Sequence, residues 1–203
     1  MTTIPYPLIL ASSSPYRREL LGRLRIPFTT ISPEIDETPR SGEQPDQLAL
    51  RLAIEKAQVV ATRAPGSIVI GADQTACLNG IALGKPGTID AARTQLRTMS
   101  GQTVVFHSAM AVIHRDHVQS TDIPTTCVFR ILSDEAIERY IAIDQPLDTA
   151  GSAKAEALGI ALMQSMHSAD PTSIIGLPLI ALTHMLTACG LDPLLYASLS
   201  EPR

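Results

Sequence analysis

Residues 8–21 read LILASSSPYRRELL, and this stretch decides the fold. Leu8, Ile9 and Leu10 form an apolar run suited to a buried strand. Ser14 is a natural N-cap and Pro15 suits the first helical position, so the strand passes directly into a helix. Arg17 and Arg18 then fall in the first helical turn, where the helix dipole already concentrates positive charge. Free N–H groups at a helix start attract anions, phosphate above all. A phosphate held by Ser12, Ser14 and one of the two guanidiniums would offset both sources of positive charge. On this stretch alone, serines that only cap and arginines that only meet water fit equally well.

Working outward, strand and helix signals alternate. Strands are predicted over 8–11 and 28–32, with a helix over 15–24 between them and a polar loop over 33–45. A helix over 46–63 carries Leu48, Leu52 and Val59 on one face and ends at Pro65-Gly66. A short buried strand covers 67–71. Asn79-Gly80 marks a hairpin between 75–78 and 81–83. A helix over 89–99 follows, then long strands over 103–114 and 117–131 joined at Arg115-Asp116. Ser133 opens another helix, a strand covers 160–164, and a helix over 177–189 ends at Gly190. Hairpins interrupt the βαβ rhythm, which predicts an α/β fold with a mixed sheet flanked by helices. No linker separates independent units, so residues 1–203 read as one domain with two lobes around one twisted sheet.

Composition narrows the function. The 203 residues are 45% hydrophobic and 18% charged, enough apolar material for a packed core. A net charge of −4 disfavours a nucleic-acid binder, so any anion site must be a local cluster of cations. The three cysteines are far apart and form no zinc spacing, which fits reduced thiols in the cytosol. No apolar run is long enough to span a membrane, and a soluble cytoplasmic protein is expected.

Five further stretches carry candidate chemistry. In IGADQ, Asp73 lies just past an apolar strand, where α/β active sites gather, and could bind a divalent metal or take a proton from water. A turn aspartate bonding its own backbone is the plain alternative. Lys56 in EKA and Lys85 in GKP, with an arginine and an acid, make up the parts of phosphoryl chemistry, although a lone lysine is ordinarily solvated. DTAGSAKAEALG, over 148–159, has small residues that admit a ligand close to the backbone, followed by Glu156. DETPR offers Asp36 and Glu37 as metal ligands. Neither a P-loop nor a dinucleotide fingerprint occurs.

Taken in order, LILASSSPYRRELL, PEIDETPR, RLAIEKA, VIGADQ, GKP, LRTMSGQT, PLDTAGSAKAEALG and IIGLPLIAL resemble the Maf-like nucleotide pyrophosphatases. The resemblance runs from about residue 8 to 186. It implies an ITPase-like α/β fold with an elongated sheet, a cleft between two lobes and a homodimer. It also implies cleavage of a nucleoside triphosphate to monophosphate and pyrophosphate, with Mg or Mn. Asp73 then matches the catalytic acid, and Arg17 the phosphate-binding arginine beside Ser12. Glu37, Lys56 and Lys85 match polar residues lining the cleft, with Asp73 and Glu37 toward the metal. Tyr16, Gln74 and Glu156 depart from the branch acting on dTTP and UTP and are similar to the 7-methyl-GTP branch. The alternatives are a dTTP, UTP or modified-nucleotide pyrophosphatase, and a non-catalytic nucleotide-binding septum regulator.

Overall fold

The computed structural model describes residues 4–198. One seven-stranded sheet runs in the order β2-β1-β3-β5-β6-β7, with β4 attached to β3. β1 (Leu8–Ala11) is parallel to β2 (Thr29–Thr30) and to β3 (Ile68–Leu78). β5 (Thr103–His114), β6 (His117–Phe129) and β7 (Met163–Ser168) extend the sheet antiparallel from β3. β4 (Ile81–Leu83) folds back onto the end of β3 through Asn79-Gly80, whose φ values of 52° and 78° make the tight hairpin turn.

The helices cover both faces. α1 (Pro15–Gly22) and α5 (Leu179–Ala188) bury Leu20, Leu21, Leu182 and Leu186 against Leu10, Ile70 and Met110. On the same face but further along, α3 (Ile89–Met99) and α4 (Asp134–Asp144) pack Leu96 and Ile137 around Phe106 and Phe129. The two cores lie side by side on that face. The opposite face is covered by α2 (Pro45–Arg63), whose Ala49, Ala53 and Ala57 are fully buried. Their spacing of four puts them on one helix face, and their small side chains let the helix backbone settle close to the sheet. A one-turn α6 (Pro193–Tyr196) closes the described chain.

Three boundaries differ from the sequence reading, each for a physical reason. β3 is a single strand of 11 residues, so Asp73 lies inside it and not beyond its end. The ladder to β5 continues through Asp73↔Ala109 and Gln74↔Ser108, which keeps the backbone extended beneath polar side chains. The strand expected over 160–164 begins at Met163; residues Leu158–Leu162 form a 3-10 turn that tucks Leu162 into the second core. The strand over 28–32 shrinks to Thr29–Thr30, both exposed at the sheet edge.

The topology also creates an opening. β1 pairs with β3 only as far as Gly71, and β4 joins it only from Ala76. Residues 72–75 thus pair with β5 on one side while their other side faces the space between β1 and β4. That is where strand connectivity switches, the usual place for a site in an α/β sheet.

Candidate active site

A cavity of about 620 Å³ fills this opening. Its walls come from the β1–α1 turn, the loop after β2, α2, β3, the segment after β4 and residues 148–150. Eight of the residues singled out from sequence line it: Ser12, Tyr16, Arg17, Glu37, Lys56, Asp73, Gln74 and Lys85. Glu156 is exposed and is not among the lining residues.

At the centre is Lys56. It is buried on α2 and its Nζ lies 2.7 Å from Asp73 Oδ1 and 2.7 Å from Glu37 Oε1. Lys56 reaches Asp73 because odd-numbered β3 residues point toward α2 in this region, as Val69 and Gly71 do. Burial pushes the Glu37 carboxyl up, but the Lys56 hydrogen bond and the charges of Lys56, Lys85 and Arg17 outweigh it, and the carboxyl titrates below its ordinary range. Lys85, exposed after β4, therefore acts on the same cluster.

The turn after β1 answers why arginine sits at a helix start. Ser12 Oγ accepts from the Ser14 N–H at 3.1 Å, and Ser14 Oγ caps α1 by accepting from the Arg17 N–H at 3.4 Å. Arg17 Nε donates to the Gly176 carbonyl at 3.0 Å, so the guanidinium is anchored away from the helix end. Burial lowers its pKa, while the charges of Asp73 and Glu37 favour the cation. Arg18 is simply exposed.

Gln74 points to the other sheet face. Its Nε2 donates to Ser108 Oγ at 3.0 Å and to the carbonyls of Ser173 and Ile174 at 3.1 and 2.9 Å. Gln74 and Arg17 thus grip the same segment, residues 173–176. Ser173 is fully buried and further bonded to Thr125, Ser168 and the Asp170 carbonyl.

Tyr16 lines the same cavity as Lys56. Its hydroxyl donates to Asp148 Oδ2 at 3.2 Å, and Asp148 Oδ1 lies 3.1 Å from Lys154 Nζ. That ammonium is also 5.7 Å from the Tyr16 ring centre. Burial raises the Asp148 carboxyl, but the Lys154 bond and charge outweigh it and hold the group below its ordinary range. Asp148 and Lys154 were missed as site residues. The small-residue stretch they belong to was the available signal, but it led to Glu156. Glu156 lies near enough for Lys154, Asp144 and Asp148 to act on its carboxyl, which desolvation first and the two acids next push up.

The loop bearing Glu37 is held to α2 by Arg51. Its Nε and Nη2 donate to Glu43 at 2.6 and 2.8 Å, and Nη2 also reaches the Thr38 carbonyl at 3.2 Å. The Arg51 bond, aided by the Arg40 N–H, draws the Glu43 carboxyl down to about 2 from an ordinary 4.5. The folded state therefore prefers the anion. Its stabilising effect is complete above about pH 4.5 and disappears as pH falls toward 2. Thermal unfolding midpoints are expected to fall across that window, and Glu43→Gln to flatten the slope; an unchanged slope in the variant would deny the role to this pair.

Among the described residues, no helix is long and apolar enough to cross a membrane, and Cys77, Cys127 and Cys189 are free thiols. The family described as Maf-like protein matches residues 7–189. A Bordetella pertussis protein named 7-methyl-GTP pyrophosphatase is 62% identical over 194 residues, covering 96% of this chain and 98% of its own. Proteins of the same name from Ralstonia nicotianae and a Polaromonas species are 56% and 52% identical, covering 89% and 94% of this chain and 94% and 88% of their own. With the matched residues running from before β1 to the end of α5 and supplying every wall of the cavity, the chain belongs to the Maf-like family.

Proposed function

We propose that this chain is a nucleoside triphosphate pyrophosphatase that cleaves 7-methyl-GTP to 7-methyl-GMP and pyrophosphate. The observation that carries the reading is one cavity lined both by Lys56, which bridges Asp73 and Glu37, and by an aromatic ring paired with a carboxylate. Relatives sharing more than half their residues with it bear that activity as their name.

Arg17, Lys56 and Lys85 hold the triphosphate, with Ser12 and the start of α1. Asp73 orients a water and takes its proton as the oxygen attacks the α-phosphorus. The α–β anhydride bond breaks and pyrophosphate leaves, its growing charge met by the cations. Placement and charge supply most of the acceleration, since such transfers need little covalent help from the protein.

Mg or Mn is the cofactor of this reading. Among the described residues no three metal-ligating side chains cluster. Two carboxylates, Asp73 and Glu37, lie together, both bonded to the Lys56 ammonium, and Mg²⁺ needs only one or two beside phosphate and water oxygens. The donor set fits. When bound, the cation neutralises phosphate charge.

Methylation at N7 turns guanine into a delocalised cation, which an aromatic face attracts by roughly 0.5–2 kcal/mol. Tyr16 is the ring that would meet it; Gln74 and Glu156 belong to the same substrate-binding reading, Glu156 lying near enough to Asp148 and Lys154 to feel their charges. The dimer implied by the family likeness is read from the mass in solution. Free thiols agree with a reducing, cytoplasmic setting.

A screen of 7-methyl-GTP, GTP, UTP and dTTP with Mg²⁺, scored by pyrophosphate release, tests the reading. 7-methyl-GTP is expected to give the highest kcat/KM. Preference for UTP or dTTP would reassign the substrate, and no release from any would leave a binding protein.

A further inference from the structure

We propose that Asp148 is a specificity-determining residue, the carboxylate against which the positive ring of the substrate base is seated. The proposal rests on the 7-methyl-GTP reading and adds a residue to it.

A carboxylate in a triphosphate cavity needs a reason, because it repels phosphate. Glu37 and Asp73 have one: both are bound to Lys56. Asp148 lies apart from that cluster. Its partners are Tyr16, through the hydroxyl at 3.2 Å, and Lys154 at 3.1 Å. Tyr16 and Asp148 line the cavity, whereas Lys154 is not among the lining residues and its side chain is only 14% exposed. Lys154 therefore backs the pair from behind.

The hydroxyl bond fixes the Tyr16 ring relative to the carboxylate, so the two present one composite surface: an aromatic face with an anion at its edge. Lys154 already demonstrates what that surface accepts, since its ammonium sits on both at once. A carboxylate has about four lone-pair sites, and the Tyr16 and Lys154 bonds use two. The others remain for N–H donors, and 7-methylguanine carries N1–H and an exocyclic amine together with its positive charge. Bonds in which the partners are charged are about twice as strong as neutral ones. Neutral guanine offers the same donors without the charge, so Asp148 discriminates between them.

Lys154 is held independently of the ligand. Its N–H donates to the Tyr140 hydroxyl at 3.0 Å, and that hydroxyl donates to the Ser152 carbonyl at 3.2 Å. It partly neutralises Asp148 and so restrains the preference for a cation.

The test compares wild type, Asp148→Asn and Lys154→Met by kcat/KM on 7-methyl-GTP and GTP, with unfolding midpoints recorded for each. Asparagine keeps an oxygen for the Tyr16 hydroxyl and removes only the charge. The 7-methyl-GTP to GTP ratio is expected to fall about ten-fold in Asp148→Asn, roughly the difference between a charged and a neutral partner. In Lys154→Met the ratio is expected to stay at or above that of wild type, since Asp148 then bears its full charge. A pair that served only to brace the loop would lower both substrates together in both variants and leave the ratio unchanged. That result, or a ratio that drops equally in Lys154→Met, overturns the assignment while the wild-type preference stands. A wild type with no preference for 7-methyl-GTP removes the substrate reading and this inference with it.

Discussion

Asp73→Asn is expected to lower kcat by about a thousand-fold and to leave KM and the fold nearly intact, within the span a positioned general base contributes. The argument is local. Asp73 pairs with Ala109 through the backbone, so the strand does not depend on the side chain. Asparagine has the same shape and keeps an oxygen for the Lys56 ammonium. Lys56 also keeps Glu37 at 2.7 Å, so no buried cation is left alone. The stability loss should be about 1–2 kcal/mol, the difference between a charged and a neutral hydrogen bond. What disappears is the group proposed to take the proton from water. Pyrophosphate release and nucleotide binding, measured on the same preparation, check the split between kcat and KM. A variant near the wild-type rate would transfer the role to Glu37, and Glu37→Gln would then become the inactive one.

Parts of this molecule were legible because short local signals enforce them. Asn79-Gly80 supplies two consecutive positive φ angles, so the hairpin and β4 could be read directly. Thr88 caps α3 by accepting from the Ala91 N–H, and the helix runs over the expected residues. The harder elements depend on distant partners. β3 looked finished at Gly71 because Asp73-Gln74-Thr75 breaks the apolar run, yet β5 carries the strand through. β7 is polar and half-exposed, so the strand expected over 160–164 takes in part of its apolar approach, residues 158–162.

The site divides in the same way. Residues inside compact motifs come together at the cavity because a strand end and a helix start place them side by side. The pairing of Asp148 is hard to read because its partner Tyr16 is 132 positions away. Glu156 follows a stretch that lines the cavity but is itself not among the lining residues. Gly151 and Ser152 have φ of 63° and 53°, and these successive left-handed residues redirect the chain before residue 156. No spacing rule reveals that turn.

Gly71→Ala is the substitution expected to harm stability most, and it tests how Lys56 is brought to the sheet. A Cβ added at Gly71 would lie 2.2 Å from the Ala53 carbonyl oxygen, 2.6 Å from the Ala57 nitrogen and 2.9 Å from the Ala57 Cβ. Two of these atoms are helix backbone, so no rotamer change relieves the clash; α2 itself must move. Overpacking of this kind costs about 1–3 kcal/mol where side chains can yield. With backbone in the way, a loss of about 3 kcal/mol is expected, equivalent to a midpoint about 6–12 °C lower for a chain of this size. Function should suffer beyond stability, because Lys56 is the neighbour of Ala57 on the displaced helix. A shift of 1 Å at a positioned group can cost about a hundred-fold in rate. The surviving folded fraction should therefore show a reduced kcat below its unfolding midpoint. Gly22→Ala makes the contrast: no atom lies within 4 Å of the added Cβ, so it should be neutral or slightly stabilising. A Gly71→Ala protein with wild-type stability would mean that α2 is not pressed onto β3 at this point. The 2.7 Å approach of Lys56 to Asp73 would then need another cause.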